Sequence, residues 1–165
     1  MTSEGLRSKQ TQAWTFHCGD LAGADVRDLL NFHFADMRAT SPPEACHVLP
    51  SDRLDDPAIT FWSVRDQDGQ LLGVGALKQL ATDHGEVKSM RTAPAALGRG
   101  VGRAMLHHIV AEARRRGYRR LSLETGGSEA FAAAIRLYES EGFIPWGPFG
   151  DYGPTRFTRF FSLNL

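Results

Sequence analysis

The sequence contains few cysteines, and their placement indicates no structural role. Only two occur among the 165 residues, Cys18 and Cys46, and neither belongs to a CxxC or Cys/His pattern. The count excludes a disulfide framework, and the spacing excludes the usual zinc sites. We therefore expect reduced thiols and no bound metal.

The sequence also lacks long apolar runs and an excess of either charge. No run approaches the roughly 20 apolar residues that span a bilayer, and the N-terminus has no apolar signal core. The 19 basic and 19 acidic residues give a formal net charge of zero. That balance argues against general nucleic-acid binding, which depends on neutralising phosphates. These absences predict a soluble, cytoplasmic protein with neither a membrane nor a nucleic-acid partner.

Length and composition predict a single domain over residues 1–165. The first ten residues, "MTSEGLRSKQ", are polar and predict a disordered tail. A short strand, "AWTFHC", and an amphipathic helix with Asp25 as its N-cap follow. The apolar stripe of that helix consists of Val26, Leu29, Leu30, His33 and Met37. Pro42 and Pro43 end the helix, and residues 40–57 predict a loop with a short helix that shapes a binding site.

The middle of the sequence predicts antiparallel strands that lead into a parallel unit. "AITFWSV" and "LLGVGALKQL" flank the turn signal Asp68-Gly69, and "GEVKSMRTA" is a further strand. A helix ending before Gly117 and the buried strand "RRLSLET" then form a right-handed β-α-β crossover. Five arginines at that helix end complement the helix dipole: Arg114, Arg115, Arg116, Arg119 and Arg120.

A second helix, "SEAFAAAIRLYESEG", and a β-rich run, "TRFTRFFSLNL", complete the pattern. Ser128 is the predicted N-cap of this helix. The fold class is therefore α/β with a mixed sheet, in which antiparallel N-terminal strands precede a central parallel β-α-β unit. The aromatic run "RFFSLNL" is a candidate contact for a homodimer.

Three glycines precede the helix of the crossover at alternate positions, Gly98, Gly100 and Gly102. A helix N-terminus binds anions through its unpaired amides, and glycines allow a ligand to approach them. No Lys-Ser/Thr pair follows, so this is not a Walker loop, and Arg103 occupies the sixth position of a dinucleotide fingerprint. Tight packing against the sheet and another phosphate-containing ligand, such as a nucleotide, remain alternatives.

Two motifs in order resemble the GNAT superfamily of acetyl-CoA-dependent N-acetyltransferases. The first comprises Thr92-Ala93-Pro94 and the stretch from Leu97 to Gly102, and the second is "AIRLYESEGF" at residues 134–143. Leu97 replaces the usual Gln or Arg of the first motif. Phe131 stands where many members carry Asn. The resemblance implies a GNAT-like fold in which the parallel strands splay apart at the cofactor site.

The resemblance also implies the cofactor-binding and catalytic residues. Backbone amides of the glycine-rich stretch would hold the pyrophosphate of coenzyme A, and the pantetheine arm would pair with Met90 and Thr92. The Met90 N–H would polarise the thioester carbonyl, and Tyr138 would be the general acid. The residues implied for the glycine-rich stretch are Leu97, Gly98, Arg99, Gly100, Val101, Gly102 and Arg103.

A carboxylate acting through water is the expected base, because an alkylammonium acceptor must first lose a proton. Glu86 is the first candidate, since residues 86, 88 and 90 of one strand are expected to share a face. Glu124 on the neighbouring strand is the second. Candidates for the acceptor pocket are His47, Glu44, Asp151 and Tyr152, whereas His107 and His108 are expected to lie away from it.

The predicted function is transfer of an acetyl group from acetyl-CoA to a primary amine of a small molecule, without a covalent enzyme intermediate. Two alternatives remain open. The chain could be a non-catalytic acyl-CoA-binding domain, which would need the glycines but not Tyr138, or it could acetylate a protein amine.

Overall fold

The computed structural model describes residues 13–49 and 53–165. The predicted tail at residues 1–10 lies outside them. The helices and strands, in chain order, are β1 Thr15–Cys18, α1 Ala24–Thr40, β2 Ile59–Arg65, β3 Leu71–Ala81, β4 His84–Thr92, α2 Val101–Arg115, β5 Arg120–Gly126, α3 Ala132–Ser140, β6 Ile144–Trp146 and β7 Thr158–Asn164. No helix in these residues is both long and apolar enough to cross a membrane.

The strands form one mixed sheet in the order β1-β2-β3-β4-β5-β7-β6. The first four strands are antiparallel neighbours, and β4 and β5 form the parallel pair joined by α2. The predicted α/β architecture with its β-α-β crossover is therefore confirmed. β7 lies between β5 and β6 and pairs antiparallel with both.

Two apolar cores cover the two faces of the sheet. Helix α2 packs on one face, where Met105 and Ile109 lie in the larger cluster. Helix α1 packs on the other, where Val26 and Leu30 meet Val74 and Ala76 of β3. Gly75 lets α2 approach β3 closely, because a Cβ there would lie 2.7 Å from the Met105 Cγ.

Two predicted N-caps are wrong. Helix α1 begins at Ala24 after Gly23, and Asp25 lies within its first turn. The Asp25 carboxylate accepts hydrogen bonds from the Arg65 guanidinium at 2.6 and 3.0 Å. The Asp25 carboxylate is therefore engaged in a charge-assisted, two-point contact with Arg65. Ser128 is the N-cap position of a short 3₁₀ turn, Glu129–Phe131, rather than of α3, which begins at Ala132. Its carbonyl accepts a hydrogen bond from the Phe131 N–H, but its side chain makes no capping hydrogen bond.

A β-bulge interrupts strand β4 at Ser89 and Met90. Val74 and Ala76 of β3 lie opposite Arg91 and Lys88, so two residues of β4 face Gly75 alone. Ser89 has φ +54°, in the left-handed region that residues with a Cβ seldom adopt.

The bulge resets the alternation of side chains along β4. Arg91 lies on the α1 side together with Lys88, opposite residues of the α1 core. Met90 instead packs against the α2 core. The prediction that residues 86, 88 and 90 share one face is therefore wrong at Met90, because the extra residue turns that side chain to the other side of the sheet.

Strands β4 and β5 pair only at their N-terminal ends. Their register covers His84 to Glu86 against Arg120 to Ser122, although both strands continue beyond these residues. A chain of side-chain hydrogen bonds ties this end to β7, with His84 Nε2 2.7 Å from the Ser122 hydroxyl and that hydroxyl 2.7 Å from Ser162. Beyond Glu86 the two strands separate, as the predicted splay requires.

Candidate active site

A cavity of about 790 Å³ opens where β4 and β5 separate. Elements from both faces of the sheet contribute to its walls, including α1, the start of α2 and α3. The predicted catalytic and cofactor residues that line it are Glu86, Met90, Thr92, Leu97, Gly98, Gly100, Val101, Gly102, Arg103 and Tyr138. Arg99 is not among them, and its guanidinium lies 5.9 Å from the centre of the Trp14 ring.

The predicted acceptor-pocket residues separate into two groups. His47 and Tyr152 line the cavity, as does Glu124, whereas Glu44 and Asp151 do not. His107 and His108 also lie outside it. The His108 ring stacks on Phe16 with a centroid distance of 4.2 Å, which gives it a packing role between α2 and β1.

The glycines at the start of α2 serve different purposes. Gly98 and Gly100 have φ values of +75° and +85°, and a Cβ on either would meet no atom within 4 Å. Their backbone conformation therefore favours glycine, and the space beside them is open. Gly102 is helical, and its Cβ would lie 3.4 Å from Leu137.

The first turn of α2 offers backbone donors to this open space. The Ala104 N–H donates to the carbonyl of Gly100, the residue just before the helix, at 3.0 Å. The amides of Val101, Gly102 and Arg103 precede that bond and so have no intrahelical acceptor. Unpaired amides and the positive end of the helix dipole together suit an anion.

Arg103 and His107 of α2 share one carboxylate, that of Glu141. The Arg103 guanidinium bonds Glu141 at the end of α3, and His107 Nε2 lies 2.6 Å from the other carboxylate oxygen. Hydrogen bonding to His107 contributes most to lowering the Glu141 pKa. The interaction fixes the start of α2 against the end of α3.

Tyr138 lies on α3, and its half-buried side chain lines the cavity. Its ring packs near Phe143 with a centroid distance of 6.0 Å. Burial raises the pKa of Tyr138 to about 12. The phenol is therefore protonated near neutral pH and able to donate a proton rather than to accept one.

Glu86 is almost fully buried, with 2% of its surface exposed. Its Oε1 lies 3.3 Å from Lys88 Nζ, and this ammonium also donates a 2.7 Å hydrogen bond to the Tyr152 hydroxyl. Burial, followed by the nearby Glu86 carboxylate, raises the pKa of Tyr152. Glu86 thus belongs to a buried group in which Lys88 compensates its charge.

Glu124 faces the cavity from β5 and contacts His47, which lies in the loop after α1. His47 Nδ1 is 2.8 Å from both carboxylate oxygens, and the Glu124 side chain is 10% exposed. Burial raises the pKa of Glu124, against the opposing effect of His47. This carboxylate therefore takes up a proton more readily than an ordinary glutamate does.

A third polar group, which the sequence patterns did not indicate, is centred on Arg91. The Arg91 Nε donates to His33 Nδ1 at 2.9 Å, and its Nη2 donates to Asp36 at 2.7 Å. All three residues line the cavity. His33 belongs to the predicted apolar stripe of α1, so its spacing suggested a core residue, and 55 to 58 residues separate Arg91 from these partners.

Comparison with known proteins identifies the family. The profile of the Acetyltransferase (GNAT) family matches residues 24–143. The chain belongs to the GNAT family. YsnE of Bacillus subtilis, described as an uncharacterized N-acetyltransferase, is 52% identical to it over 146 residues, which cover 88% of this chain and 96% of YsnE. YedL of Escherichia coli, described in the same way, is 45% identical over 152 residues, which cover 92% of this chain and 95% of YedL.

A solved structure agrees with these sequence matches. A protein described as an acyl-CoA N-acyltransferase from Klebsiella pneumoniae superposes with a TM-score of 0.74 at 25% identity, over 92% of this chain and 97% of that one. Together with the two relatives, it supports N-acetyltransferase activity for this GNAT protein. The matched family range includes β4, α2 and Tyr138, whereas Tyr152 and β7 follow it.

Proposed function

We propose that this GNAT protein transfers the acetyl group of acetyl-CoA to a primary amine of a small molecule, by direct attack in a ternary complex. The observation that carries the proposal is the single cavity at the β4–β5 separation. It joins the glycine-rich start of α2 to Tyr138 on one side and to buried carboxylates on the other. Anion binding, proton donation and proton acceptance therefore meet in one space.

The start of α2 would hold the pyrophosphate of acetyl-CoA. The amides of Val101, Gly102 and Arg103 supply donors without removing any bond from the helix. Gly98 and Gly100 leave open space beside this backbone, so the phosphates can approach it closely. Leu97, which replaces the usual polar residue of the family motif, is 67% exposed and takes no backbone donor away.

Strand β4 would bind the pantetheine arm where β5 has moved away. Beyond Glu86 the β5 side of β4 lacks its parallel partner, so backbone groups at Met90 and Thr92 are available to an extended ligand. The Met90 N–H would then donate to the thioester oxygen as negative charge develops there. Such a preorganised donor contributes about 3 kcal/mol to lowering a barrier of this kind.

The reaction itself requires two proton transfers. The neutral amine attacks the carbonyl carbon, the carbon–sulfur bond breaks, and the leaving thiolate takes a proton from the Tyr138 hydroxyl. The amine nitrogen loses a proton to a carboxylate, directly or through water. Solvent then returns a proton to Tyr138 and removes one from the base.

We place the base at Glu124 rather than at Glu86. The Glu86 carboxylate lies 3.3 Å from Lys88 Nζ and is 2% exposed, so it is already engaged in a buried ion pair. Glu124 has a raised pKa and contacts His47, which is 33% exposed and can pass the proton towards solvent. A base with a pKa closer to the working pH accepts protons more effectively.

The experiment that tests the function measures release of free coenzyme A thiol from acetyl-CoA by the purified full chain. Amines, amino acids, polyamines and aminoglycosides are supplied as acceptors, and mass spectrometry identifies the product. We expect release that depends on one class of small amine. Tight binding of acetyl-CoA without release for any small amine would contradict the proposal and favour a binding domain or a protein acceptor.

We expect Gly100→Glu to weaken acetyl-CoA binding by at least about tenfold, or 1.4 kcal/mol. The new carboxylate would stand beside the pyrophosphate and repel it. Gly117→Glu is the matched control, because Gly117 has φ +79° at the other end of α2 and equally open surroundings. Isothermal titration calorimetry measures both affinities. Equal affinities for the two variants would show that the pyrophosphate does not bind at Gly100.

We expect Tyr138→Phe to lower kcat by well over tenfold, because general acid catalysis contributes about a hundredfold or more. Affinity for acetyl-CoA should stay similar. Tyr118→Phe is the control, since Tyr118 is 6% exposed and its hydroxyl has no hydrogen-bond partner within the described residues. Steady-state kinetics of the two variants separate the roles, and unchanged turnover in Tyr138→Phe would exclude it as the acid.

We expect Glu124→Gln to lower kcat/KM at neutral pH by about a hundredfold and Glu86→Gln to lower it less. As pH falls through the raised pKa of Glu124, protonation should remove the base and activity should fall. The limb should lie above the usual glutamate pKa of about 4.3. Protonation of the acceptor amine adds a separate limb, so the pH profile of Glu124→Gln should keep the limb of the amine and lack the limb of Glu124. A larger effect of Glu86→Gln would assign the base to Glu86.

A further inference from the structure

The acceptor side of the cavity carries two cations on one strand. The bulge at Ser89 places Arg91 on the same face of β4 as Lys88 and Glu86. Lys88 and Arg91 both line the cavity, with side chains that are 10% and 22% exposed. Glu86 and Glu124 line it as well, so the same space presents groups of both signs.

Two side chains of α1 hold Arg91 in place, and they use only some of the donors of its guanidinium. Nε donates to His33 Nδ1 and Nη2 donates to Asp36. Burial, followed by the charge of Arg91, lowers the pKa of His33 to about 4, so its ring is neutral and accepts this bond. Within residues 13–49 and 53–165, no hydrogen-bond partner is found for Nη1 of Arg91.

Arg65 provides a contrast, because all three of its guanidinium nitrogens donate hydrogen bonds within the protein. Its Nε and both Nη atoms donate to Asp20, Asp25 and the Gly69 carbonyl. Two carboxylates therefore surround it, and it does not line the cavity. Arg91 has one carboxylate and one neutral imidazole as partners, so its charge is less compensated and donors are still available.

Apolar surface lies beside this arginine. The guanidinium of Arg91 lies 5.5 Å from the centre of the Phe32 ring, which is 47% exposed. Met37 and Leu49 also line the cavity. An acceptor bound here would meet a guanidinium fork, an apolar surface and, further along β4 and β5, the carboxylates that suit an amine.

We propose that the acceptor carries a carboxylate in addition to its amine, as an amino acid does, and that Arg91 binds this carboxylate. The inference rests on the proposed transfer to a small amine. Guanidinium groups bind carboxylates through paired N–H donors, and a site with both charges excludes diamines that lack an anion. His33 and Asp36 act as positioning residues for Arg91.

The test uses pairs of acceptors that differ only in the carboxylate. Phenylalanine and phenethylamine form one pair, leucine and isoamylamine a second, and γ-aminobutyrate and propylamine a third. For at least one pair, we expect wild-type kcat/KM to be at least tenfold higher for the amine with the carboxylate. A preference for the amines without it, or no difference in any pair, would overturn the assignment while leaving the acetyl transfer itself intact.

The variants Arg91→Gln and Arg65→Gln then locate the effect. We expect Arg91→Gln to raise KM at least tenfold for the carboxylate acceptor and to change KM little for its partner amine. Arg65→Gln removes an arginine that does not line the cavity, so it should preserve the preference for the carboxylate acceptor. If Arg91→Gln lowers kcat/KM equally for both members of a pair, Arg91 is only a link between α1 and β4 and the assignment is wrong.

Two further outcomes are distinguishable. If Arg91→Gln does not fold, Arg91→Lys keeps the charge without the planar fork and should weaken the preference rather than abolish it; an unchanged preference would overturn the role of Arg91. Absence of thiol release with every amine would contradict the proposed function, and the carboxylate assignment with it.

Discussion

The separation of β4 from β5 is the constraint on which the rest of the site depends. Parallel strands normally pair along their whole length, because unpaired backbone groups are costly to bury. Here the pairing ends at Glu86 and Ser122, and a hydrogen-bonded chain through His84, Ser122 and Ser162 closes the sheet at that point. Every residue assigned a chemical role lies beyond this closure or lines the cavity that it leaves.

The bulge in β4 complements that separation by sorting side chains between the two faces. One extra residue sends Met90 towards α2 and keeps Arg91 with Lys88 on the side of α1. Strand β4 thus presents backbone N–H and C=O groups to the gap between β4 and β5, and charged side chains to the acceptor side of the cavity. Each buried carboxylate has a cation or an imidazole from nearby, Lys88 for Glu86 and His47 for Glu124, which limits the cost of burial.

The sequence was sufficient for the sheet order around the crossover and for the glycine-rich helix start, because these depend on local patterns. Tyr138 was a candidate only through the resemblance of its motif to the family, since the spacing of α3 alone favours a core residue. The sequence was insufficient for the bulge, since Ser89 adopts a left-handed conformation without being a glycine. Contacts between distant elements were also beyond it. His47 and Glu124 are 77 residues apart, and only the fold shows that they touch.

Packing also explains one departure from the family motif. The ring of Phe131, which stands where many members carry Asn, occupies the space that a Cβ on Gly126 would need. The large ring at position 131 therefore requires a glycine at position 126. The sequence alone shows the departure at Phe131 but not its partner Gly126 on β5.

The order of strands has a consequence for how the molecule assembles. β7 follows β6 in the chain but lies between β5 and β6 in the sheet. Until β7 is in place, the outer edge of β5 stays unpaired and β6 has no strand to join. Such non-local pairing is slow, and an open edge of this kind invites association with other chains. The strand that carries Glu124 should therefore acquire its final environment late in folding, and intermediates without β7 should be the species most prone to aggregate.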